Sequence, residues 1–196
     1  LEGCVREILR ALGEDVEREG LLDTPSRVAK ALMFATRGYD ACATVALGTA
    51  LFHETGMANA MRTTTTNEIA NGTHDMVLVR DIPVFSTCAE TFMPFYGVIH
   101  VGYAPNAGVI VGLSKLARVA EVYARRLQTP DGLQVQERLT RDVAEEVSKL
   151  TGGLGVMVAA RAAHLCMVSR GVEKPGSSTC TVTKLGRFAS EPALRS

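Results

Sequence analysis

Cys88 closes the run Ser86-Thr87-Cys88-Ala89-Glu90-Thr91, and Cys166 stands two residues beyond His164. On a strand, residues two apart share a face. His164 and Cys166 can then open onto one pocket, and Cys88 joins them if its own strand is a neighbour. Two thiolates and an imidazole suit Zn2+, which takes sulfur and nitrogen ligands in a tetrahedron. No CxxC or HExxH accompanies them. A buried free cysteine beside a hydrogen-bonded histidine describes the same residues.

A second group is cationic. Lys115 and Arg118, three apart, share a helix face near its start, where the backbone already favours anions. Arg170 follows the His-x-Cys segment, and Arg27 lies in the first turn after Thr24-Pro25. Four cations at element ends can bind a polyphosphate; each taken singly is also ordinary solvated charge. Gln136 and Glu137 open another helix. An amide and a carboxylate side by side can read a purine edge, although an acidic residue in a first turn is also simply good helix chemistry.

The elements that must position these groups follow from periodicity and turn signals. Val5, Ile8, Leu9 and Leu12 trace one face of an opening helix. Thr24 can cap a second helix running from about Pro25 to Arg37, with Gly38 at its end. Residues 40–74 read as a short apolar piece (Val45 to Phe52) and then a mobile loop, with the run Thr63 to Thr66 inside it. Strands are predicted at Met76 to Val79, Ile82 to Phe85 and Val98 to Tyr103, with Gly97 making a turn beside Phe95 and Tyr96. Helices follow at Ser114 to Leu127 and Val135 to Leu150, split by the turn signal Thr129-Pro130-Asp131-Gly132. Gly155 to Ala160, Ala162 to Val168 and Ser178 to Lys184 return to strand. Antiparallel hairpins flanking a helix pair give an α+β fold with the helices on one face of the sheet. The expected division is an N-terminal helical segment, 1–40, and a module over 41–196, as one domain overall.

Composition narrows the function. The chain has 196 residues, enough for one domain with a real core. Lys plus Arg and Asp plus Glu are 21 each, so a net charge of zero argues against a general nucleic-acid binder. No uninterrupted apolar run is long enough for a spanning helix, and no secretory leader is visible. Five scattered cysteines are not a secreted disulfide pattern. A reducing, cytoplasmic setting is expected. A chain opening on Leu1 reads as a segment of something longer.

Taken together, these pieces resemble the GTP cyclohydrolase I family from Leu22 to about Phe188. The family's TPxRVAK reads here as Thr24-Pro25-Ser26-Arg27-Val28-Ala29-Lys30. GLSKLAR is whole from Gly112 to Arg118, and QVQERLT is whole from Gln134 to Thr140. HxCxxxRG reads as His164-Leu165-Cys166-Met167-Val168-Ser169-Arg170-Gly171. The resemblance implies a tunnelling fold assembled into a ring-type homo-oligomer, a pentamer or decamer. It implies attack of water on the imidazole ring of GTP, loss of formate, and rearrangement to 7,8-dihydroneopterin triphosphate on the way to folate and pterins. Zinc is its cofactor. Glu137 would hold the guanine, helped by Gln136 or its backbone. Ser114, Lys115, Arg118, Arg170 and Arg27 would hold the triphosphate. His164 would assist proton transfer, and Cys88 and Cys166 would be zinc ligands. In the family the pocket lies between subunits.

One segment departs. The family's Cys-Glu-His-His reads Cys88-Ala89-Glu90-Thr91 here. Thr91 stands where the third zinc ligand is expected, and Glu90 where a catalytic histidine is expected. A hydroxyl is a poor replacement for imidazole at zinc, so zinc binding is expected to be weak or absent. Residues Thr129 to Gln134 are an insertion in a turn. The pattern resembles one module of the tandem, two-module enzymes of plants and their relatives, here the nucleotide-holding module, with a second cyclohydrolase module as partner. Two alternatives stand beside it. One is a catalytically inactive regulatory or scaffolding module that binds GTP or a pterin; the other is a tunnelling-fold reductase using a cysteine nucleophile.

Overall fold

The computed structural model describes residues 1–48, 50–53, 76–106, 109–129 and 135–191. Most of the predicted loop, including Thr63 to Thr66, and the insertion from residue 130 to 134 lie outside the described residues. The elements run α1 (Glu2–Ala11), α2 (Thr24–Thr36), α3 (Ala43–Leu47), β1 (Leu51–His53), β2 (Val77–Cys88), β3 (Pro94–Ala104), β4 (Val109–Val111), α4 (Leu113–Ala124), β5 (Leu127–Gln128), α5 (Val135–Thr151), β6 (Gly155–His164), α6 (Leu165–Val168), β7 (Thr179–Gly186) and α7 (Arg187–Ser190).

Five strands form one sheet in the order β5-β2-β3-β6-β7, antiparallel except for the short β2–β5 pairing. β1 and β4 make a separate antiparallel pair. Alternation decides which face is covered. Phe95, Ile99, Val101 and Tyr103 of β3 and Val156, Val158, Ala160 and Ala162 of β6 point inward. They meet Leu116, Val119 and Ala120 of α4 and Leu139, Val143 and Val147 of α5. Each such side chain stabilises the fold by about 1.5–3 kcal/mol. The result is an α+β fold with a helix pair on one face, as the pattern predicts. The other face leaves Phe85, Tyr96 and Val182 about half exposed.

Several local expectations are corrected. Gly97 is not in a turn: β3 begins at Pro94, and a Cβ on Gly97 would meet the Arg161 carbonyl at 2.0 Å. The glycine serves close approach of β3 to β6. The two predicted pieces at 76–85 are one strand, with an irregularity between Val79 and Ile82 where Asp81 takes a positive φ of 57°. Thr24 is the first helical residue and Asp23 the N-cap, with no side-chain cap bond. Ile8 and Leu12 of α1 are largely exposed, and only Val5 of that helix is buried.

The largest correction concerns His164 and Cys166. The predicted strand through Val168 stops at His164, and the chain turns into α6. The two residues therefore do not share a strand face. Ser169 closes the turn, its hydroxyl and backbone N–H both donating to the Leu165 carbonyl.

Candidate functional site

Cys88, Phe95 and His164 collect at one end of the sheet. Cys88 ends β2 and pairs with Gln128, while Phe95 pairs across strands with His164. Between β2 and β3 the chain makes a tight turn: Phe92 N–H donates to the Cys88 carbonyl at 2.9 Å, and Cys88 N–H to the Met93 carbonyl at 2.9 Å. Phe92 adopts φ 55° there and is exposed, a backbone region that costs a bulky residue energy.

His164 is buried and stacked on Phe95, ring centroids 4.3 Å apart and planes 7° off parallel. Its Nε2 lies 2.9 Å from Gln136 Oε1. Burial pushes the imidazole pKa below its ordinary value, because the charged form loses hydration. Gln136 is also buried, and its amide nitrogen donates to the Ala160 carbonyl at 2.9 Å, the Thr179 carbonyl at 3.0 Å and Thr181 Oγ1 at 3.2 Å. Glu137, the next residue on α5, is exposed.

Cys166 lies close enough to Cys88 for the two thiols to interact electrostatically. The Cys166 thiol is pushed up, first by burial and then by Cys88; the nearby Arg170 guanidinium acts in the opposite sense. All five cysteines are free. The shared strand face expected for His164 and Cys166 is not formed; Cys166 lies on the short α6 helix, near Cys88. Among the described residues no third His, Cys, Asp or Glu joins these thiols as a metal-ligating group. Thr91 Oγ1 is spent within its own turn, accepting from Met93 N–H at 3.3 Å, and Glu90 is exposed. Two sulfurs and a threonine hydroxyl do not fit the closed sulfur and nitrogen set that zinc prefers.

The helix-start cations stand elsewhere. The far end of α4 reaches the strand-end cluster, where Ser86 Oγ donates to the Ala124 carbonyl at 2.6 Å. Lys115 is nine residues earlier on the same helix, roughly 14 Å away along the axis at 1.5 Å per residue. Lys115 Nζ donates to the Ala46 carbonyl of α3 at 3.3 Å. Ser114 and Arg118 are exposed beside it. Arg27 sits on α2 in an exposed ion pair with Asp23 at 3.0 Å. No salt bridge among the described residues engages Lys115, Arg118 or Arg170.

The residues singled out from sequence therefore divide. His164, Gln136, Cys88, Cys166 and Arg170 gather at one end of the fold, with Glu137 next in sequence to Gln136. Ser114, Lys115 and Arg118 lie at the other end of α4, and Arg27 belongs to the α1–α2 layer. Phe95, which sets the plane of His164, was not singled out. Its signal was its place two residues before Gly97 on the same strand. The sequence places Gln136, by its side chain or its backbone, beside Glu137 at a purine edge. Its spacing to Leu139, Thr140 and Val143 puts it instead on the buried stripe of α5.

Comparison with known proteins matches the whole chain, residues 1–196, to the family model described as GTP cyclohydrolase I. GTP cyclohydrolase 1 of Saccharomyces cerevisiae is 48% identical over 189 residues, covering 96% of this chain and 68% of that one. The protein of the same name in Dictyostelium discoideum is 44% identical over 195 residues, covering 100% of this chain and 74% of that one. GTP cyclohydrolase 1 2 of Pseudomonas aeruginosa is 44% identical over 196 residues, covering 100% and 95%.

Proposed function

The chain belongs to the GTP cyclohydrolase I family, and on that premise we propose that it is the nucleotide-holding module of such an enzyme. Its relatives carry the name GTP cyclohydrolase 1. The observation that carries the finer reading is the division of its groups. Along the α4 axis Lys115 stands roughly 14 Å and Arg118 about 9 Å from Ala124, where the helix meets Ser86 beside the thiol and imidazole cluster. On this reading a pocket that uses both sets takes the cations from one chain and the thiol and imidazole cluster from another.

In this reading Lys115 and Arg118, with the Ser114 hydroxyl, hold the triphosphate at the start of α4, where the helix dipole adds to their charge. Arg170 reaches the phosphates from the strand end. Glu137, exposed at the opening of α5, accepts from the guanine edge. His164, held neutral by burial, takes and returns a proton near the ring and ribose. No step of the reaction is assigned to zinc in this chain, because among the described residues Cys88 and Cys166 have no fitting third ligand. A metal-competent partner module supplies that half.

The exposed apolar side chains of the sheet's open face, Phe85, Tyr96 and Val182, support burial against further copies in a ring. No described helix is long and apolar enough to cross a membrane. A GTP titration paired with zinc analysis tests the reading. The expected result is GTP binding with less than one zinc per chain. A chain that binds no GTP in any assembly contradicts it. An assembly that binds GTP and keeps full turnover with Lys115→Ala supports a regulatory or scaffolding module instead.

A further inference from the structure

We propose that Gln136 is a positioning residue that fixes the tautomer of His164, so that Nδ1 is the only ring atom able to accept a proton. The argument is one of donors and acceptors. The Gln136 amide nitrogen faces two backbone carbonyls, Ala160 at 2.9 Å and Thr179 at 3.0 Å. Carbonyls only accept, so the NH2 group must point at them. Turning the amide over would set Oε1 against both carbonyl oxygens. Oε1 therefore faces His164 Nε2, at 2.9 Å. An amide oxygen cannot donate, so Nε2 carries the hydrogen of the neutral ring and Nδ1 the lone pair.

Two further contacts make the lock stiff. Thr181 Oγ1 takes a share of the amide N–H at 3.2 Å, and the parallel face of Phe95 fixes the ring plane. The amide is 1% exposed, and its oxygen and nitrogen are both engaged within its own chain. This replaces the expectation that the Gln136 side chain reads the purine edge; Glu137 is the outward-facing member of the pair. The tautomer follows from the hydrogen bonds alone. Its effect on turnover rests on the reading that His164 moves a proton.

Solid-state 15N NMR of histidine-labelled, assembled protein tests the lock, at mildly alkaline pH, with His164 assigned by difference against His164→Asn. In the unmodified chain Nε2 is expected at the protonated position and Nδ1 at the unprotonated one. Thr181→Val, which keeps both carbonyl acceptors, leaves them there. Gln136→Met moves both nitrogens toward the average of the two tautomers. In the assembly that turns over GTP, Gln136→Met lowers kcat by about 10–100-fold while KM changes by less than about 3-fold. An unmodified chain with hydrogen on Nδ1 overturns the proposal whether or not the variant folds. So does a Gln136→Met variant whose KM rises with kcat and tautomer unchanged, because that is the behaviour of a purine contact. Full turnover in His164→Asn with the lock still visible in the parent chain would remove the proton-transfer role and leave the positioning intact.

Discussion

The strand-end cluster and the start of α4 are built on opposite principles. At the strand end, His164, Gln136, Phe95 and Cys88 are buried, and the His164 and Gln136 side chains are hydrogen-bonded inside the chain. At the helix start, Ser114 and Arg118 are exposed, and half-buried Lys115 donates to the Ala46 carbonyl. A preorganised region can set the direction of a proton without help from a second chain. An exposed set of cations gains most of its worth when a ligand and a partner surface take it out of water. On the proposed reading, the chain finishes the positioning of its imidazole and leaves the cations at the start of α4 to be completed by a ligand and another subunit.

Substitutions at the two ends should separate the two behaviours. Phe95→Ala removes a ring that is 1% exposed, and a loss of about 3–5 kcal/mol in denaturant unfolding is expected. Arg118→Ala should change stability by less than about 0.5 kcal/mol while weakening GTP binding about 10-fold, the worth of one charge-assisted hydrogen bond. If both substitutions mainly cost stability, the contrast between the regions is wrong. Thr91→His tests the metal half. An imidazole beside two thiols completes the set that zinc prefers, so zinc affinity by competitive titration should rise by about 100-fold or more, since even an outer-shell partner is worth 10–100-fold. No gain would mean that the turn at Phe92, not the missing imidazole, keeps the metal out. Arg27→Ala is the smallest change. Its ion pair with Asp23 is about three-quarters exposed on both sides, and thermal unfolding should report no more than about 0.5 kcal/mol.

Much of the fold was legible in the sequence, for identifiable reasons. α4 and α5 follow from apolar spacing, and their covered face from strand alternation. The shared face expected for His164 and Cys166 is not formed, because period-two spacing beyond Ala162 carries no signal that the strand ends at His164. Gly97 misled because glycine marks turns and close strand approach alike. Gln136 misled because its neighbour is acidic and its own side chain polar, whereas the stripe through Leu139 and Val143 was the stronger cue. The distance between Lys115 and the strand end could not be read from spacing, since it depends on which end of α4 meets Ser86.

Complementation tests the central claim most directly. This chain is mixed with a family module that keeps the full cysteine and histidine set but has lost its own α4 cations, and formate release from GTP is measured. The account predicts that turnover returns with the unmodified chain and fails to return with its Lys115→Ala, Arg118→Ala variant. Equal turnover from both, or full turnover and one bound zinc per chain from the unmodified chain alone, would contradict it.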